Sequence, residues 1–216
     1  MDWVKKIWGV IFPQTCVGCG IRGYLICDGC ANKLPPAHAP EFDFITSVFG
    51  YGTPSVRRLI HMLKYENGRY VATFFAPYLA SALTEFLGEE KLFHGDAPVL
   101  LVPVPLSKRR LRHRGYNQSE IVIQEMLKVL PGGNFSLERK IATKIKDTPP
   151  QAEIKKKSIR LQSQHDCFAL LPHSKKRNEI IILVDDVTTT GATLSDLRQV
   201  FKKDGFTKVY ALTIAH

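Results

Sequence analysis

Two neighbouring acids, Asp185 and Asp186, stand between five apolar residues (180–184) and a run of small hydroxylated residues, Thr188, Thr189, Thr190, Gly191, Ala192 and Thr193. Leu194, Leu197, Val200 and Phe201 then repeat at helical spacing. The pattern reads as a buried strand, an acid pair, a small-residue loop and a helix. A helix N-terminus presents unpaired N–H groups and the positive end of its dipole, which favours a phosphate. Gly191 permits close backbone approach, and the threonine hydroxyls add donors. The acids do not suit a phosphate. They suit ribose hydroxyls or a hard divalent cation. Together the loop and the acids describe a site for a sugar phosphate. The blander reading is a buried strand with a polar turn and a threonine N-cap. No Gly-Lys-Ser/Thr ends the loop and it holds one glycine, so it is neither a Walker A loop nor a dinucleotide fingerprint.

A second constellation lies near the N-terminus. Cys16 and Cys19 form one C-x-x-C pair, Cys27 and Cys30 another, with seven residues between the pairs. Two such knuckles supply four thiolates for a tetrahedral structural zinc site. Gly18 and Gly29 fall where a knuckle turns around its metal. A closed four-sulfur site leaves no place for substrate, so its role is structural. The competing reading is redox dithiols or free cysteines. Cys167 stands alone and reads as a small buried hydrophobe.

The third is basic. Residues 99–104 read as a core strand. Six basic side chains follow within residues 108–114, ahead of a Gly-Tyr-Asn-Gln turn. In an open α/β sheet ligands bind at the carboxyl ends of strands, so a basic loop there suits a pyrophosphate. Asn117 is placed to cap a helix over 118–130.

Other elements must position these groups. Residues 2–12 suggest a short amphipathic helix with Trp3, Ile7, Trp8 and Ile11 on one face. Residues 35–40 read as a linker, and 42–51 as a strand and turn. Pro54 opens a helix with Val56, Leu59, Ile60 and Leu63 on one face. A second helix is expected over residues 70–87, and a closing strand over 207–214. Lys64, beside a glycine turn, either reaches a pyrophosphate or is a solvated lysine favoured by the helix dipole. Residues 139–160 are polar, broken by two prolines and rich in lysine, including Lys155, Lys156 and Lys157.

The chain has 216 residues and 44% hydrophobic content, enough for one sizeable α/β domain and a small module. Thirty Lys and Arg against 20 Asp and Glu leave a formal charge of +10, which favours an anionic partner. No run reaches the ~18 apolar residues of a membrane span. Residues 1–12 lack a small-residue cleavage site, and the cysteines read as metal ligands, so a cytoplasmic location is expected.

Residues 182–194 resemble the PRPP-binding motif of the type I phosphoribosyltransferases. Further motifs extend the likeness: C-x-x-C twice, Leu-Lys-Tyr-Glu-Asn-Gly over 63–68, Pro-Val-Pro-Leu over 103–106, Arg-Gly-Tyr-Asn-Gln over 114–118, and Thr148-x-x-Gln151. In this order they resemble the ComF family from about residue 16 to the C-terminus. Family members often carry Phe where Tyr116 stands. The resemblance implies an α/β fold: a type I phosphoribosyltransferase-like parallel sheet flanked by helices over residues 41–216, with a small zinc-finger module within residues 1–40. It implies that Asp185 and Asp186 hold the ribose of PRPP with Mg²⁺, that residues 187–193, Val187 and Ala192 included, surround the 5-phosphate, and that Ser107, Lys108, Arg109 and Lys64 meet the pyrophosphate. Asp185, Asp186 and Lys108 are then the catalytic candidates. It also implies a part in DNA uptake and natural transformation, beside other DNA-uptake or recombination proteins. Single-stranded DNA would lie along Arg112, Arg114 and Lys155–Lys157, with Tyr65, Tyr116 or Phe168 as stacking residues. Residues 139–160 would be a hood over PRPP or a nucleic-acid contact. The alternative is an active phosphoribosyltransferase of nucleotide metabolism with no DNA role.

Overall fold

A computed structural model describes residues 15–38, 42–66, 68–89, 97–132, 134–146, 167–172 and 178–216. The helix expected over 2–12, the lysines at 155–157 and most of the polar stretch 139–160 fall outside the described residues.

The strongest sequence signal, the apolar run at 180–184, forms the middle of the molecule. Strands β1 (Ile45–Phe49), β2 (Val99–Pro103), β3 (Phe135–Leu137), β6 (Ile180–Val187) and β7 (Val209–Ala215) make one sheet in the order β1-β7-β6-β2-β3. Every pairing in it is parallel. Parallel strands need covered faces, and alternate side chains supply both. Ile180, Ile182 and Val184 point to one layer with Val99, Leu101, Leu212 and Ile214. There they meet α2 (Pro54–Tyr65), α3 (Gly68–Glu89) and α5 (Gln118–Met126). Ile181 and Leu183 point the other way with Leu100, Val102, Val209 and Ala211, onto α6 (Ala192–Lys203) and a small antiparallel hairpin. That hairpin pairs β4 (Ala142–Lys144) with β5 (Phe168–Leu170).

The short helix α1 (Asp28–Ala31) lies within the cysteine module. Cys16, Leu25 and Ile26 of this module are buried in the same cluster as Phe49, Phe75 and Leu63. Residues 35–37 are more than a linker. The Gly50 N–H donates to the Pro35 carbonyl and the Ala37 N–H to the Val48 carbonyl, so this segment runs along the outer edge of β1. It covers backbone that an edge strand would leave open.

Among the described residues, α3 is the one helix long and apolar enough to cross a membrane. Its composition has a local explanation: Val71, Phe75, Leu79, Leu83 and Leu87 are wholly or nearly buried against the sheet and its neighbouring helices.

The expected basic loop is a helix, α4 (Lys108–Arg114). Ser107 caps it: its hydroxyl accepts from the Arg110 N–H, and Gly115 ends it at φ 82°. Five of the seven residues are Arg or Lys before any turn signal appears, and Ser N-cap to Gly C-cap is the ordinary punctuation of a short helix. Asn117 caps α5 through the Ser119 N–H, as the sequence suggests, but α5 stops at Met126 and not at residue 130.

The β4–β5 hairpin is tied to α6 by a buried carboxylate. Asp196 Oδ2 accepts from the Cys167 N–H at 3.0 Å, and both residues are buried. An unpartnered buried N–H costs about 1–3 kcal/mol. Asp196→Ala should lower unfolding stability by roughly that amount, and Asp196→Asn, which keeps an acceptor, by less. Urea unfolding of the two variants measures the difference.

Candidate functional site

The site follows from a mismatch in strand length. β2 pairs with β6 as far as Pro103↔Val184, and the Val104 N–H then donates to the Val184 carbonyl. β6 runs on for Asp185, Asp186 and Val187 against β7 alone, with Asp185 opposite Thr213 and Val187 opposite Ala215. The acids therefore lie inside the carboxyl end of a strand, one residue short of its last, Val187, and their β2 side is open. The chain leaves β2 toward β3 and leaves β6 toward β7, in opposite directions. This is the switch point of the sheet, where an open α/β fold has its crevice.

Strand alternation turns Asp186 to the side of Val184, toward α2. There Lys64 Nζ lies 3.0 Å from Asp186 Oδ1. Asp186 is only 5% exposed, and its Oδ2 is buried without a hydrogen-bond partner. Lys64 is thus not a solvated helix-terminal lysine. Burial works against its charge, but the neighbouring Asp186 and Asp185 outweigh burial and raise its pKa. Asp185 accepts from the Asp186 N–H at 2.8 Å and lies 3.4 Å from the Ser119 hydroxyl. Burial first, then the Asp186 charge, pushes the Asp185 carboxyl up to about 7. Two acids with one ammonium leave a site short of positive charge or of hydroxyl donors.

The motifs at 63–68 and 114–118 meet here. The Tyr116 hydroxyl donates to the Leu63 carbonyl at 2.7 Å. A Cβ on Gly68 would stand 2.7–2.8 Å from the Tyr116 ring and hydroxyl, so this glycine is needed for the approach. Asn117 Nδ2 donates to the Val104 carbonyl at the end of β2. Arg114 pairs with Gln118 and stands 5.2 Å over the Tyr65 ring.

After β6 the chain makes the small-residue turn. Thr188 is buried, and its N–H donates to the Ala215 carbonyl, so that N–H is not free for a phosphate. Thr189 is exposed, and its carbonyl lies 3.3 Å from His216 Nε2. Gly191, at φ 66°, is the N-cap of α6, which begins at Ala192, two residues before the expected start. A Cβ there would meet the Phe42 ring at 2.6 Å. Ala192 and Thr193 form the first turn of α6. Lys108 and Arg109 are exposed in the first turn of α4, whereas Ser107 is buried and occupied as its cap. Arg112 is exposed.

Of the expected stacking residues, Phe168 is buried within β5 and Tyr116 is committed to Leu63. Tyr65 is 53% exposed, with His61 and His113 rings at 5.0 and 6.5 Å. Ser119, Phe42 and His216 were not legible as site residues. Each reaches the site through a contact over many residues of chain, and no local spacing announces it.

The four cysteine sulfurs lie within 4.8 Å of one another, with Cys16–Cys27 at 3.8 Å and Cys19–Cys27 at 3.7 Å. A tetrahedron with Zn–S bonds of ~2.3 Å has edges of about 3.8 Å, so the cluster fits a zinc ion. Burial pushes the Cys16 thiol up, but N–H groups, among them those of Cys27 and Gly18, outweigh it and bring it down to about 6. Crowding by the Cys27 and Cys19 sulfurs pushes Cys30 up to about 12, which a shared cation would relieve. A Cβ on Gly18 would strike Cys30 Sγ at 2.7 Å, so Gly18 is sterically required. Gly29 has open space around it and sits inside α1, so the same argument does not hold there.

No family model matches the chain. Individual proteins do. It is 29% identical over 195 residues to the DNA utilization protein YhgH of Salmonella typhimurium, covering 89% of this chain and 79% of that protein. It is 28% identical over 208 residues to Competence protein F of Haemophilus influenzae, covering 94% and 85%. Competence protein ComFC of Bacillus subtilis is 29% identical over 133 residues, covering 62% and 50%. These likenesses support a ComF family assignment.

The cysteine module and one face of the sheet share one apolar cluster. Loss of zinc should therefore be felt beyond the finger. Metal analysis of the purified protein is expected to give about one zinc per chain. Cys16→Ser should lose it, and a strong chelator should lower the thermal midpoint of the wild type. An unchanged midpoint after complete metal removal would refute the coupling.

Proposed function

We infer that the crevice between β6 and β2 is a PRPP site and that the chain acts in DNA uptake, holding single-stranded DNA. The observation that carries the first part is the unpartnered, buried Asp186 Oδ2 beside Asp185, at the open switch point and one turn ahead of the α6 N-terminus.

The donor set fits the ligand. Asp186 Oδ2 is an acceptor without a donor beside a second acid, and a ribose diol brings two donors. Residues 189–193 and the first turn of the 12-residue α6 offer hydroxyls and N–H groups to the 5-phosphate. Thr188 contributes by fixing the loop to β7, not by its N–H. Lys108 and Arg109, exposed where β2 ends, suit the pyrophosphate. Magnesium carried on the pyrophosphate would neutralise charge as that group departs. Its direct ligation by Asp186 Oδ1 is disfavoured while Lys64 holds that oxygen. If transfer of the phosphoribosyl group follows, Lys108 stabilises the leaving group and the acids keep the ribose in place.

The DNA part draws on the names of the relatives, which are a DNA utilization protein and competence proteins. It is supported by the +10 charge and by the exposed Tyr65 ring with Arg114 over it and Arg112 on the same short helix. Cations track the backbone, and an exposed ring flanked by cations accepts a base. Under this reading the protein works in the cytoplasm with other DNA-uptake or recombination proteins, and Lys155–Lys157 are further candidates to meet the nucleic-acid backbone.

Calorimetry with Mg²⁺ and PRPP, on the wild type and on Asp185→Asn/Asp186→Asn, tests the first part. Single-stranded DNA affinity is measured on the same samples and on Tyr65→Ala. PRPP binding is expected to disappear in the double variant while DNA binding persists. Tyr65→Ala should cost about 1–3 kcal/mol of DNA affinity if one base stacks there. A wild type that ignores PRPP at millimolar concentration ends the PRPP reading. If PRPP binds but DNA does not, the chain is a phosphoribosyltransferase without a DNA role, and pyrophosphate release is the assay to pursue.

A further inference from the structure

Lys64 stands between two kinds of group. Its ammonium is on Asp186 Oδ1, and its side chain keeps 22% exposure. Asp186 is half satisfied, with one oxygen on Lys64 and the other without a donor. Asp185 adds a second acid, and the Arg114 charge acts on Lys64 from the end of α4. No other ion pair among the described residues reaches Asp186. A carboxylate buried this deeply is costly without a counter-charge or donors, so Lys64 is released only when something replaces it.

We propose that Lys64 exchanges partners on ligand binding and thereby sets specificity: it neutralises Asp186 in the empty site and moves to the pyrophosphate when the ribose diol takes over the acid. This rests on the PRPP reading above and adds a coupling between the two ends of the ligand. The diol supplies two O–H donors in place of the ammonium. The pyrophosphate supplies the anion that the freed ammonium then needs. Ribose 5-phosphate offers the first without the second. Inorganic pyrophosphate offers the second without the first. Each leaves a charge uncompensated, so each is rejected relative to a ligand carrying both, and the rejection comes from the site's own unpaired group. A lysine suits this role. It is a compact charge on a flexible stem, whereas a guanidinium prefers to stay locked on a carboxylate.

Calorimetry at fixed Mg²⁺ with PRPP, ribose 5-phosphate and pyrophosphate, on the wild type and Lys64→Met, decides the matter. Lys64→Met keeps the apolar stem and removes the charge. The preference for PRPP over ribose 5-phosphate is expected to shrink by roughly tenfold or more, through weaker PRPP binding with ribose 5-phosphate unchanged or tighter. Lys64→Gln keeps a donor for Asp186 and should show the same loss of preference, so the test survives if Lys64→Met does not fold. Equal weakening of PRPP and ribose 5-phosphate in the folded variants would mean that Lys64 stays on Asp186, and the exchange would be wrong while the PRPP site stood. A wild type that binds none of the three ligands overturns both.

Discussion

A carboxylate held away from water must be neutralised or satisfied, and Asp186 is neither until Lys64 reaches it. Much of the upper layer can be understood from that requirement. Lys64 lies in the last turn of α2, so α2 must end beside the carboxyl end of β6. Its buried face, Val56, Leu59, Ile60 and Leu63, sets the height at which it rests on the sheet. The Tyr116 hydroxyl then bonds the Leu63 carbonyl, one residue before the lysine, and fixes that turn from the α4–α5 junction. Gly68 follows because anything larger would push Tyr116 away. The two motifs around the glycine and the tyrosine are two halves of one clamp on the residue that pairs with the acid.

The cysteine module enters the same layer. Leu25, Ile26 and Cys16 are buried with Phe49, and Phe49 packs edge-on or tilted against Phe75 and Tyr78 of α3. Four thiols this close repel one another as they ionise, a repulsion that a bound cation would relieve. A bound metal contributes folding free energy directly. Because the module's apolar residues belong to the helical layer's cluster, that free energy is shared with the helices that carry Lys64 and Tyr116. A metal site with no chemical role can therefore still bear on the crevice.

The parts of the site that were legible are those whose signal is local. Four cysteines at knuckle spacing, an acid pair after a β-branched run and a glycine before a helix each carry their meaning within a few residues. The sheet was legible for the same reason, since residues 180–184 are a continuous apolar run and 209–214 are one interrupted only by Thr213. What escaped was burial and pairing across the chain. Lys64 sits more than a hundred residues before Asp186, and as a lone lysine at a helix end it carries no mark of its partner. Ser107 looked like a pyrophosphate donor, but a serine before a basic stretch is equally an N-cap, and the helix used it as one. Thr188 looked like the first threonine of the phosphate loop, yet β6 continues through Val187 and draws it under β7. In both cases the surroundings of the side chain depend on where β6 ends and α4 begins, which no local spacing announces.

One turn of α2 then does two things at once. Lys64 points in, to the acids. Tyr65, about 100° further round the helix, points out and takes the Arg114 guanidinium over its ring. Glu66 is drawn back along the helix by Arg58 and His61, so it puts no negative charge into the crevice. Arg114 also pairs with Gln118 and ends the helix whose first turn carries Lys108 and Arg109. The inner and outer surfaces of the crevice wall are thus connected through side chains whose backbones are already clamped by Tyr116 and Asn117. A shift of the Lys64 ammonium away from Asp186 changes the charge felt by Arg114, whose field already opposes that of Lys64. Any anion bound inside and any base stacked outside would share that pair of cations, and the short path between them is electrostatic and needs no movement of the sheet.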